Sequence, residues 1–101
     1  MTESDLQRAV IDLIRWLGLL YFHDNDSRRN RSGFPDLVIS GQAGHMFREL
    51  KTATGRLRTE QADWITRLTL GGADVAVWRP VDLASGRVQT ELVALTGRAA
   101  A

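Results

Sequence analysis

The chain has 101 residues, 44% of them hydrophobic and 25% charged, which suits one globular domain over residues 1–101 and excludes disordered, collagenous and low-complexity classes. With no cysteine at all, a disulfide framework, a thiolate nucleophile and a Cys-ligated zinc site are excluded together. The net charge of +1 excludes a uniformly polycationic or polyanionic chain, so any charge-driven partner must be met by a local concentration of charge.

Leu6, Val10, Leu13, Ile14 and Leu17 recur at helical spacing and predict a helix over about residues 3–17, opened by a Thr2/Asp5 capping box and stopped at Gly18. Leu19 to His23 is short and aromatic-rich, hence a strand. Asp24 to Gly33 has no apolar side chain and reads as a polar, basic loop. Pro35 to Ser40 and His45 to Thr52 read as two strands joined by a turn over Gly41-Gln42-Ala43-Gly44. Thr59 is expected to cap a second helix whose inward stripe is Gln61, Trp64, Ile65 and Leu68, ended by Gly71-Gly72. Val75 to Trp78 is a buried strand halted by Pro80, and Val88 to Leu95 is a last short helix or an edge strand. Trp16, Trp64 and Trp78 are expected in the core, with an interface position the alternative for one of them, and His23 and His45 at strand ends. The order is αβββαβ plus a C-terminal element, an α/β fold with a mixed central sheet flanked by helices.

No apolar run exceeds four residues, against the ~20 needed to cross a bilayer. The start Met1-Thr2-Glu3-Ser4-Asp5 is acidic where a signal peptide is basic. A cytoplasmic protein with no membrane partner is expected. Charge is uneven: residues 1–26 carry −3, residues 27–58 carry +5 and residues 59–101 carry −1. A middle third with seven Lys/Arg and two carboxylates suits phosphate binding. The same pattern also fits a solvated basic surface.

Folding the hairpin on a turn centred between Gln42 and Ala43 makes facing positions sum to 85, which sets Asp36 opposite Glu49. Period-two alternation puts Lys51 on the face of Glu49, and Arg48 and Leu50 on the other. Opposed like charges destabilise a strand pair, so a cation is expected between them. Two carboxylates at that spacing suit a hard divalent ion such as Mg²⁺, with Lys51 near enough to hold a water or a phosphate oxygen. Glu-x-Lys by itself occurs by chance in roughly a third of chains this long, so only its combination with the facing Asp36 is informative.

The combination Gly33-Phe34-Pro35-Asp36-Leu37, Glu49-Leu50-Lys51, Gly55-Arg56-Leu57, Gln61 with Trp64, and Val77-Trp78-Arg79-Pro80 resembles the VRR-NUC family of the PD-(D/E)XK nuclease superfamily. The resemblance implies the αβββαβ core and metal-dependent hydrolysis of DNA phosphodiesters to 5′-phosphate and 3′-hydroxyl ends. It implies Mg²⁺, with Mn²⁺ able to substitute, on Asp36, Glu49 and the Leu50 carbonyl. Lys51 would orient water or offset phosphate charge, Gln61 would face the same site, and Glu3 would be the helix-one acid, with Asp5 an alternative. Ser27, Arg28, Arg29 and Arg31 would contact backbone phosphates, as would Arg56 and Arg58. The implied activity of a standalone domain is resolution of branched DNA such as a four-way junction, with a homodimer setting two sites symmetrically. Its rivals are a non-catalytic nucleic-acid-binding module and a flap- or end-trimming nuclease.

Overall fold

Helix α1 (Glu3–Trp16) starts where its capping box dictates. The Thr2 hydroxyl accepts the Asp5 N–H at 3.0 Å and the Asp5 carboxylate accepts the Thr2 N–H at 2.9 Å, an arrangement contributing about 1 kcal/mol. The structure, a computed structural model, describes residues 1–24 and 32–98. After α1 come β1 (Leu20–His23), β2 (Leu37–Gly41), β3 (Gly44–Leu50), α2 (Thr59–Leu70), β4 (Val75–Trp78), α3 (Pro80–Ala84) and α4 (Arg87–Leu95).

The strands lie in the order β1-β2-β3-β4. β1–β2 and β2–β3 are antiparallel, while β3–β4 is parallel. A parallel pair needs a crossover, and α2 supplies it. The β2–β3 register pairs Leu37 with Arg48 and Gly41 with Gly44, so facing positions do sum to 85 around a two-residue turn. Alternation then splits the sheet into two faces. Leu37, Ile39, Met46, Leu50 and Trp78 join Leu6, Val10 and Ile14 of α1 and Val88, Leu92 and Leu95 of α4 in one buried core. α2 lies over the opposite face, where Phe34 packs edge-on against Phe47 at 6.0 Å and Trp64 at 5.0 Å. Gly33 makes that approach possible: its φ is +89°, and a Cβ there would stand 2.5 Å from the backbone of Glu60.

Several elements differ from expectation for physical reasons. Thr59 is the first helical residue of α2 and not its cap; Arg58 is the N-cap, and Gln61 Oε1 accepts its N–H at 2.9 Å. Pro80 does more than halt β4, because its fixed φ suits the first position of a helix and it opens α3. The tail is the helix α4, with Val88, Leu92 and Leu95 buried at helical spacing. Trp78 is fully buried and Trp64 half-buried, but Trp16 is 86% exposed. Trp16 stands two residues past Ile14, about 200° round the helix from the apolar stripe. Leu20 and Phe22 on the edge strand β1 are also largely exposed, at 76% and 61%.

Among the described residues the core face holds one buried cation. Arg48 is 2% exposed; its Nη2 lies 2.8 Å from Glu91 Oε1 and 3.0 Å from Asp74 Oδ1, and its guanidinium sits 5.0 Å from the Trp78 ring centroid. Trp78 Nε1 donates to the same Glu91 oxygen at 3.1 Å, so helix and sheet are joined by a fully partnered polar network.

Candidate functional site

The residues at the ends of β2 and β3 belong to the face under α2. Asp36 directly precedes β2, and its Oδ2 accepts the Leu50 N–H at 2.8 Å while its own N–H donates to Glu49 Oε1 at 3.3 Å. Side chain and backbone thus continue the β2–β3 ladder to the Asp36/Glu49 position. Glu49 is 1% exposed. Gln61, in the first turn of α2, donates from Nε2 to Glu49 Oε2 at 2.8 Å while its Oε1 takes the Arg58 N–H. One amide therefore ties the head of α2 to the buried carboxylate. Lys51 Nζ lies 3.8 Å from Glu49 Oε2, and the Lys51 N–H is anchored on the Trp78 carbonyl at 3.0 Å.

Burial pushes the Glu49 carboxyl up to about 8, the neighbouring Asp36 charge pushes the same way, and Lys51 pulls it back. Near neutrality Glu49 therefore tends to keep its proton. A cation in place of that proton removes the penalty. The donor set is all oxygen, which fits a hard divalent ion; among the described residues no group of three or more His, Cys, Asp and Glu gathers to hold one, so the carboxylates would share it with backbone or solvent oxygens.

Glu3 is exposed on the first turn of α1 and makes no hydrogen bond or ion pair with Asp36, Glu49 or Lys51. Asp5 is engaged in the capping box, and its carboxyl is held low by the Thr2 N–H. Arg56 and Arg58 are exposed on the connector between β3 and α2. Ser27, Arg28, Arg29 and Arg31 lie outside the described residues. The Leu50 carbonyl belongs to the residue whose N–H meets Asp36. Two features escaped the sequence reading. Asp24 donates its N–H to the Asp36 carbonyl at 3.1 Å, extending the β1–β2 pairing alongside the site, although the polar stretch read as loop. Arg79 grips the connector beyond Lys51, and its only sequence signal was a place in the Val77-Trp78-Arg79-Pro80 segment.

A four-stranded mixed sheet in αβββαβ order, flanked by helices, is the architecture of the PD-(D/E)XK nuclease superfamily. The model of the VRR-NUC domain matches residues 2–82, and the chain belongs to the VRR-NUC domain family. A solved structure titled "VRR_NUC domain protein" is similar in fold, with a TM-score of 0.68 at 19% identity over 94% of this chain and 90% of that chain. No curated protein matches the chain. Among the described residues no helix is long and apolar enough to cross a membrane.

Proposed function

We propose that the chain is a metal-dependent DNA endonuclease with Asp36, Glu49, Lys51 and Gln61 at its centre. The observation that carries this reading is the buried Glu49 carboxylate, held by Gln61 at 2.8 Å and faced by Lys51 at 3.8 Å, beside a second carboxylate that raises its proton affinity. Such a pair is costly in a purely structural role. Mg²⁺ or Mn²⁺, held by Asp36, Glu49 and the Leu50 carbonyl, supplies Lewis-acid polarisation of the scissile phosphate and activation of water when bound. Lys51 offers three donors to a phosphate oxygen or to the attacking water and offsets charge that develops during attack. Gln61 fixes the Glu49 carboxylate, Glu3 serves as the helix-one acid, and Arg56, Arg58 and the Ser27, Arg28, Arg29 and Arg31 segment bind backbone phosphates.

The substrate class is branched DNA, following the family resemblance, and the working unit is a homodimer. An exposed apolar edge at Leu20 and Phe22, with Trp16 near the end of α1, supports association with a second copy. The test is strand cleavage by the purified protein on linear, flapped and four-way DNA with Mg²⁺, Mn²⁺ or chelator. Paired symmetric cuts in the four-way substrate are expected. Cutting at flaps or ends alone would move the substrate to trimming, and salt-sensitive binding without any cleavage would reduce the chain to a nucleic-acid-binding module.

A further inference from the structure

Lys51 begins the connector from β3 to α2, and among the described residues its ammonium is held only by the long 3.8 Å contact to Glu49. A four-carbon stem with one distant ion pair is loosely determined by itself. The connector supplies what is missing. Thr52 Oγ1 accepts the Gly55 N–H at 3.0 Å, closing residues 52–55 into a tight turn. That turn lies against the lysine: a Cβ on Gly55 would be 3.6 Å from Lys51 Cδ and 2.9 Å from Thr52 Oγ1. Arg79 Nη1 then donates to both the Thr52 and Gly55 carbonyls, each at 2.7 Å. The arginine is itself fixed, because its N–H donates to Asp82 Oδ2 at 2.7 Å at the start of α3 and it follows Trp78, whose carbonyl takes the Lys51 N–H.

We propose that Arg79 is a positioning residue for Lys51: by clamping both carbonyls of the 52–55 turn it packs that turn against the lysine stem and aims the ammonium at the Glu49 side of the site. The inference rests on the nuclease reading for its catalytic consequence, but the positioning itself does not. Among the described residues no carboxylate forms an ion pair with the Arg79 guanidinium, so two carbonyls hold it without cancelling its charge. The same clamp sets where the exposed Arg56 and Arg58 leave the turn.

Lys51 is the single lysine in the sequence, which gives a direct readout. Protein labelled with ¹³C-lysine should show one set of side-chain resonances, displaced from free lysine in the native chain. Arg79→Gln should move the Cδ and Cε signals to free-lysine positions, lower kcat on DNA by about 10- to 100-fold, and change the DNA dissociation constant by less than about 3-fold. Arg79→Lys, which restores one ammonium between the carbonyls, should recover part of kcat. Thr52→Val opens the same turn without touching Arg79 and should reproduce the resonance shift, which decides the matter if Arg79→Gln fails to fold. Unchanged Lys51 resonances in a folded Arg79→Gln, or a loss confined to DNA affinity, would overturn the proposal. If the native protein cleaves no DNA, the nuclease reading fails while the resonances still decide the role of Arg79.

Discussion

Raising the pH of the metal-free protein should destabilise it through one side chain. Glu49 is 1% exposed, and burial, then the Asp36 charge, lift its carboxyl from 4.5 to about 8. Between those values the folded protein holds a proton that the unfolded chain has released, so stability falls as pH rises. The contribution is complete below about 4.5, declines by about 1.4 kcal/mol per pH unit, and is gone above about 8, a total of roughly 4–5 kcal/mol. That is a large share of the roughly 5–15 kcal/mol that holds most domains together. Asp5 and Glu91 have lowered values, so their contributions are lost only in acid, below this window. The assay is thermal melting in chelator from pH 5 to 9 for the native chain and Glu49→Gln. The native Tm should fall by more than 10 °C, the variant should lose that component, and Mg²⁺ should restore the native Tm at the alkaline end. Parallel profiles for the two proteins would show that Glu49 is not the source of the pH dependence.

Asp36→Asn should abolish metal-dependent cleavage while keeping the Leu50 N–H bond through its amide oxygen, so the apo Tm should be equal or higher; full activity would remove Asp36 from the site. Replacing Arg28, Arg29 and Arg31 by Ala should weaken binding to every DNA shape and reduce the salt slope by about 0.9 per lost phosphate contact, which titrations at several ionic strengths will read. Glu91→Ala should cost about 3 kcal/mol, because Arg48 and Trp78 lose a shared acceptor and, among the described residues, Asp74 is left as the one carboxylate paired with the buried cation; denaturant melts check it. Light scattering at micromolar concentration should give a dimer for the native chain and a monomer for Phe22→Glu.

Much of the sheet could be read from the sequence because antiparallel pairing is a local problem. A short turn between alternating strands fixes a sum of residue numbers, and that sum placed Asp36 across from Glu49 without any distant contact. Helix α1 was equally legible, since five apolar positions and a capping pair lie within sixteen residues of each other. Arg48 was not. Alternation sent it to the core face, where an arginine is improbable, and the partners that make it tolerable lie 26 and 43 residues away in sequence. Trp16 was misplaced because residue type outweighed helical phase. The short helix α3 was hidden because a proline that ends a strand and one that starts a helix look alike. Arg79 escaped because its partners are carbonyls, which every residue possesses and no sequence pattern marks.

Helix α4 begins at Arg87, after the segment that the family model matches and after β4 in chain order. It nevertheless carries Val88, Leu92 and Leu95 of the core and the Glu91 that neutralises Arg48, the immediate neighbour of Glu49. Without α4, Arg48 would lack that carboxylate and one wall of the hydrophobic interior would be open to water. The strands that carry Asp36, Glu49 and Lys51 are therefore backed by a helix that lies outside the matched segment.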